Sequence, residues 1–76
     1  MSRITPQPWR TLERVLLRAG FVFVRQASSH RVYEKPGVLR PIIIPEYEEV
    51  DAAIIQGLLR TAKMSRAEYL RYLSEN

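Results

Sequence analysis

The spacing of apolar positions changes period several times along the chain. Trp9, Leu12, Val15, Leu16 and Ala19 recur at helical spacing, Thr5 and Pro6 stand ahead of them as N-cap and first helical residue, and Gly20 supplies a stop. This predicts a helix over residues 6–19. Phe21 to Gln26 is rich in β-branched and aromatic residues, Ala27 and Ser28 form a short turn, and Ser29 to Glu34 reads as a second strand. The two strands predict a hairpin. Lys35, Pro36 and Gly37 make the next turn. A third strand is expected from Val38 or Leu39 to Ile44, with Pro41 suited to an edge and Pro45 ending it.

Beyond the acidic loop of residues 46–50, Asp51 can cap a helix that places Ile54, Ile55, Leu58, Leu59 and Ala62 on one face. Ser65 and Glu68 have the spacing of a capping box, in which each side chain satisfies the other's orphan amide, so a last short helix should carry Tyr69, Leu70 and Leu73. The predicted order is α-β-β-β-α-α. No helix separates the strands, so the fold class expected is α+β: a two-layer sandwich of a three-stranded antiparallel sheet with all helices on one face.

Composition narrows the function. The 76 residues suit a single domain over 1–76, with its core between residues 6 and 73. A chain this short buries only about 60% of its unfolded surface, so chemistry should sit on the surface rather than in a deep cavity. There is no cysteine and one histidine, which excludes disulfides, thiolate metal sites and multi-histidine metal centres; no metal or cofactor is expected. The longest apolar runs, residues 21–24 and 52–55, are far below the roughly 18 residues of a membrane span, and no signal-peptide core is visible. A cytoplasmic protein without membrane association is the expectation.

Charge is distributed unevenly. Residues 1–45 hold eight basic and two acidic groups, a balance of +6; residues 46–51 contribute −4 and residues 52–76 contribute +2. Ten of the 12 cations are arginine, whose planar fork suits phosphate better than lysine does. A basic front half suggests a polyanionic partner. Arg10, Arg14 and Arg18 form one stripe along the first helix, either a solvated face or a track for phosphates. The acidic run Glu46, Glu48, Glu49 and Asp51 lies on a loop without convergent metal ligands and favours the start of the following helix. Trp9 is expected in the core or as a helix anchor.

The single histidine, His30, opens the second predicted strand beside Arg25, Ser28, Ser29 and Arg31. A lone histidine is either a surface or structural residue or a catalyst. Strand alternation places it on the side of Val32, which favours burial if Val32 is core. Tyr33 can be a packed sheet residue or a platform for base stacking.

The ordered set Gly20, Phe21, Arg25, Gln26, Ser29, His30, Tyr33, the strand Ile42-Ile43-Ile44-Pro45, and Leu58-Leu59-Arg60 through Ala62 and Ser65 resembles the HicA, or YcfA-like, family of small toxins, over about residues 9–73. The chain departs from that pattern at Ser28, where the family has Gly, at Glu46 in place of a second His, at Ala53-Ile54 for Gly-Thr, and at Gln56 for Arg. The resemblance implies a fold similar to the double-stranded RNA-binding domain, used as an mRNA endonuclease. It maps the essential histidine to His30, implies neutralisation by a HicB-type antitoxin, and brings the first helix, with Arg10, Arg14 and Arg18, toward the nucleic acid.

The residues are compatible with that chemistry. RNA carries its own nucleophile, the 2′-hydroxyl, so cleavage needs a base, donors for the phosphorane oxygens and help for the leaving group. General acid–base catalysis by His30 is worth roughly 10² to 10⁴ in rate and needs no metal. Arg25 and Arg31 can neutralise the scissile phosphate and Ser28 or Ser29 can donate to it. A catalytically silent RNA-binding module and a protein-interaction module are the alternatives.

Overall fold

The computed structural model describes residues 3–75; residues 1–2 and 76 of the expected domain lie outside it. The chain forms α1 (Trp9–Arg18), β1 (Val22–Ala27), β2 (His30–Glu34), β3 (Ile42–Pro45), α2 (Ala52–Ala62) and α3 (Arg66–Ser74). The strands make one antiparallel sheet in the order β1-β2-β3. α1 and α2 pack on one face of it, and α3 packs against α1. This is the α+β architecture of the double-stranded RNA-binding-domain-like fold, with α3 added.

Helix ends follow local chemistry. α1 starts at Trp9 with Pro8 as its N-cap and no side-chain cap, three residues later than the spacing of Thr5 and Pro6 predicts. Pro8 is the reason: a residue preceding proline is pushed out of the helical region, so Gln7 stays extended and pairs with Val50 (Gln7 N–H to Val50 O, 3.1 Å; Val50 N–H to Gln7 O, 2.7 Å). At its other end α1 closes in a Schellman motif. Gly20, at φ +98°, occupies the left-handed position, and Phe21 N–H reaches Leu16 O at 3.0 Å. Lys35 Nζ also donates to Ala19 O at 2.6 Å, a cation at the carbonyl end of the helix.

α2 begins where Asp51 accepts from Ile54 N–H at 2.9 Å and ends in a second Schellman motif, with Lys63 at φ +56° and Met64 N–H on Leu59 O. The capping box of α3 forms as expected, with Ser65 accepting from Glu68 N–H and Glu68 from Ser65 N–H, both at 3.0 Å. The backbone hydrogen bond from Ser65 lowers the Glu68 pKa.

The third strand is shorter than expected. The turn at 35–38 has Pro36 and Gly37 in its centre, the latter at φ +88°, and Val38 N–H closes on Lys35 O at 3.0 Å. Residues 38–41 then bend outside the ladder, because Pro41 has no N–H to give it, and β3 starts only at Ile42. Ile42 and Ile44 face the helices and join Leu12, Val15, Leu16, Phe21, Tyr33, Val50, Ile55, Leu59, Met64 and Tyr69 in the core. Full burial of an isoleucine such as Ile42, Ile44 or Ile55 is worth roughly 2 kcal/mol each, so the helix side of the sheet is fixed by these residues.

Register decides which residues share the uncovered face. Phe23 pairs with Tyr33 but Arg25 pairs with Val32, so a β-bulge takes up Val24. Before the bulge Phe23 faces the helices; after it Gln26 does, opposite Arg31, while Arg25 and Ala27 turn to the open face with Val32 and His30. His30 and Val32 do share a side, as alternation requires. That side carries no helix, so His30 is exposed although Val32 is buried between Arg25 and Ile43 in the register.

The turn between β1 and β2 consists of Ser28 and Ser29, and Ser28 sits at φ +57°. A positive φ at the first of two hairpin positions is a place for glycine, and serine adopts it at a steric cost. Replacing Ser28 with Gly should therefore raise stability by about 1 kcal/mol, or about 4–8 °C in Tm, in a thermal melt; an unchanged or lower Tm would show that the turn is unstrained.

Candidate active site at the hairpin end of the sheet

The hairpin that carries His30 is tied down from behind. Gln26 Nε2 donates to Ser28 O at 3.1 Å and to Glu46 Oε1 at 3.0 Å, and Glu46 N–H donates to Ser29 O at 2.9 Å. Both carbonyls of the turn are thus fixed. Gln26 Oε1 accepts from Arg31 Nη1 at 3.2 Å, and the same nitrogen lies 3.6 Å from Glu46 Oε2. Glu46, which stands where the resembled pattern has a second histidine, is part of this brace.

Arg31 is the hub. Its Nε and Nη2 reach Glu13 Oε2 at 3.1 and 2.9 Å, its Nε also reaches the Tyr33 hydroxyl at 3.1 Å, and that hydroxyl donates to Glu13 through a short hydrogen bond. The guanidinium lies 4.2 Å from the Phe23 ring centre and 4.9 Å from that of Trp9. The hydrogen bond to Tyr33, followed by those to Glu13, raises the Arg31 pKa. Burial, with the hydrogen bond to Glu13 next, pushes the Tyr33 phenol well above its ordinary value, so it stays a proton donor.

This arrangement corrects two expectations. Tyr33 offers no platform for a base: it is fully buried in the core, edge-on to Phe23, with its hydroxyl on Glu13. Arg31 does not reach toward a phosphate, because it turns to the helix side and its donors are engaged by Glu13, Gln26, Glu46 and Tyr33.

The helix-one arginines have partners within the fold. Arg10 pairs with Glu48 at 3.3 Å in an exposed ion pair. Arg14 reaches across to α3, donating from Nη2 to Leu73 O at 3.1 Å with its Nε buried, and Arg18 pairs with Glu75 at 3.5 Å. Cations on the last carbonyl turn of α3 complement its dipole. Arg14 and Arg18 therefore hold α3 to α1.

His30, Arg25, Ser28 and Ser29 remain exposed at one end of the sheet. His30 pairs with Ala27 and Pro45, and Arg25 is its diagonal neighbour on the same face, at a separation of about 7–8 Å for such pairs. Arg25 makes no ion pair or hydrogen bond among the described residues. One imidazole and one uncommitted guanidinium thus share an open, solvent-facing surface. Strict alternation hides this pairing, because only the bulge at Val24 turns Arg25 toward it. No group of three or more His, Asp or Glu side chains converges among the described residues. In the acidic run, Glu46 braces the hairpin, Glu48 pairs with Arg10 and Asp51 caps α2.

If Arg31, Glu13 and Tyr33 act as one network, removing Glu13 leaves a partly buried guanidinium with one carboxylate fewer. Glu13→Ala should cost about 2 kcal/mol, and Tyr33→Phe with Glu13→Ala should cost less than the sum of the single changes in a urea-melt double-mutant cycle. Additive losses would show independent contacts. The phenol also sets an alkaline limit. The unfolded Tyr33 ionises near pH 10.0 while the folded one stays protonated, so stability should fall as pH rises beyond 10.0. Tyr33→Phe should flatten part of that fall; an identical alkaline slope would contradict the assignment.

No curated protein matches the chain. The family described as HicA toxin of bacterial toxin-antitoxin matches residues 9–64, which run from the first residue of α1 through the whole sheet and α2. With three quarters of its length in that match, the chain belongs to the HicA toxin family of bacterial toxin–antitoxin systems.

Proposed function

We propose that this toxin is a metal-independent endoribonuclease of mRNA in which His30 is the general acid/base, working in the cytoplasm and held in check by a HicB-type antitoxin. The observation that carries the reading is the placement of His30: the one imidazole of the chain is exposed on a braced turn, and the diagonal arginine beside it has no acidic partner. HicA toxins are generally ribonucleases, so RNA as substrate and an antitoxin as partner follow from family membership in general terms.

The step needs little machinery. His30 accepts the proton of a ribose 2′-hydroxyl, the 2′-oxygen attacks the adjacent phosphorus, the bond from phosphorus to the 5′-oxygen breaks, and the departing oxygen takes a proton from solvent. The products are a 2′,3′-cyclic phosphate and a 5′-hydroxyl. Arg25 neutralises the pentacoordinate phosphorus and the Ser28 or Ser29 hydroxyl donates to its oxygens, stabilising charge that grows toward the transition state. The brace from Gln26 and Glu46 keeps the imidazole on a fixed backbone, where about 1 Å of misplacement can cost 10²-fold. An antitoxin seated on the hairpin end would block His30 and Arg25 together.

His30→Ala should lose RNA cleavage by about 10² to 10⁴-fold in EDTA with an unchanged Tm, and Arg25→Ala should weaken cleavage with less effect. Cleavage by His30→Ala at the wild-type rate would remove histidine from the mechanism. Wild-type protein that binds RNA and leaves it whole would make the chain a silent RNA-binding module.

A further inference from the structure

The cations of this protein divide into those compensated within the chain and those left uncompensated. Arg10, Arg31, Arg14 and Arg18 have carboxylate or carbonyl partners. Arg25 does not, and neither do Arg40, Arg60 and Lys63, for which no ion pair or hydrogen bond of the side chain forms among the described residues. Arg3 and Arg71 also lack such a partner and line no part of the depression that the other three share. Arg40 from the β2–β3 connection and Arg60 and Lys63 from the end of α2 line one open depression of about 300 Å³, with Leu39 and Thr61.

Two of the three are explained by the helix. Arg60 and Lys63 stand at the carbonyl end of α2, where positive charge is favourable. Arg40 is not: the β2–β3 connection brings a third like charge to the same depression, and no carboxylate lines it. Like charges gathered without a counterion repel one another, and a polyanion relieves that repulsion. Leu39 is 92% exposed beside them, an apolar surface of the kind that a base or sugar covers.

The depression also adjoins a groove beside β3. Thr61 lines both it and a shallow groove between β3 and α2 in which Ile43, Ile54 and Leu58 are exposed or half-buried. β3 runs along that groove to Pro45, the register partner of His30. Arg40 lies five residues from Pro45, at most about 18 Å of chain, so it is within a few nucleotides of single strand from His30. Basic ends joined by an apolar track are the features of a channel for unpaired nucleic acid.

We infer that Arg40, Arg60 and Lys63 form a second phosphate subsite, which holds the RNA strand away from the cut and leaves His30 to do the chemistry. This rests on the proposed ribonuclease function. It assigns substrate binding to the far end of the β3–α2 groove rather than to helix α1.

The test separates affinity from chemistry. An RNA methylated at every 2′-oxygen, which cannot be cleaved, is titrated by fluorescence anisotropy from about 50 to 200 mM salt against wild type and against the triple variant Arg40→Gln, Arg60→Gln, Lys63→Gln. Each phosphate contact to a single strand contributes about 0.7 to the slope of log K against log salt, so the variant's slope should be shallower by about 2. With ordinary RNA its KM should rise at least about tenfold at 150 mM salt while kcat stays within about twofold of wild type, as for loss of uniform binding. Arg40→Lys with Arg60→Lys keeps the charge and should keep the slope.

A triple variant with the wild-type slope and KM overturns the subsite and leaves the ribonuclease reading standing, including the case in which the patch serves an acidic protein instead. Wild type that neither binds nor cuts RNA overturns both.

Discussion

The grip of Arg31 on Glu13, whose Oε2 accepts from Nε and Nη2 of Arg31 and from the Tyr33 hydroxyl, is the interaction on which the rest of this small protein depends. It joins α1 to β2 at the helix-facing side of the sheet, next to the edge strand β1, where the helices give little cover. A half-buried guanidinium is costly unless charge, hydrogen bonds and packing all compensate it. Glu13 and Glu46 supply the charge, Gln26 and Tyr33 the remaining acceptors, and the rings of Trp9 and Phe23 lie against it. From this hub the order passes outward through Gln26 and Glu46 to the two carbonyls of the Ser28-Ser29 turn. The open face beyond needs no helix to hold it in place.

A division of labour among the charges follows. A net charge of +4 says little about where a polyanion would bind, because charge already compensated within the fold attracts it weakly. The arginines of α1 are occupied by the acidic loop and by α3. Among the cations without an ion pair or hydrogen bond in the described residues, Arg25 lies near the His30 end of β3, and Arg40, Arg60 and Lys63 gather in the depression beside Leu39 and Thr61. The protein keeps the features of an RNA-binding fold while placing its free positive charge on surfaces other than the first helix.

Much of the architecture was legible in the chain. The three strands in one hairpin-linked run, the Asp51 cap, the Ser65–Glu68 capping box and the amphipathic α2 all follow from local patterns, and local patterns survive into the fold. What escaped was set by neighbours. Pro8 overrode the cap offered by Thr5, and Pro41 shortened β3; both effects were readable from proline chemistry. The bulge at Val24, which turns Arg25 toward His30, leaves no mark in an alternating apolar strand. The partners of the arginine stripe were not legible, because they are 57 and 59 residues away for Arg18 and Arg14. Tyr33 and Arg31 stand close to His30 in sequence, yet register sends them to the other face. Ser28 holds a positive φ of +57° at the turn, a position that residue identity alone did not mark.

The central claim is that nucleic acid meets this protein at the open hairpin end and not along helix α1. The most direct measurement is a nuclear magnetic resonance titration of isotope-labelled protein with an RNA methylated at its 2′-oxygens, following backbone amides together with arginine Nε–H signals. The account predicts large shifts at Ser28, Ser29, His30 and Arg25, with the Nε–H signals of Arg14 and Arg31 unmoved. Shifts concentrated on Arg10, Arg14 and Arg18, with the hairpin silent, would contradict it.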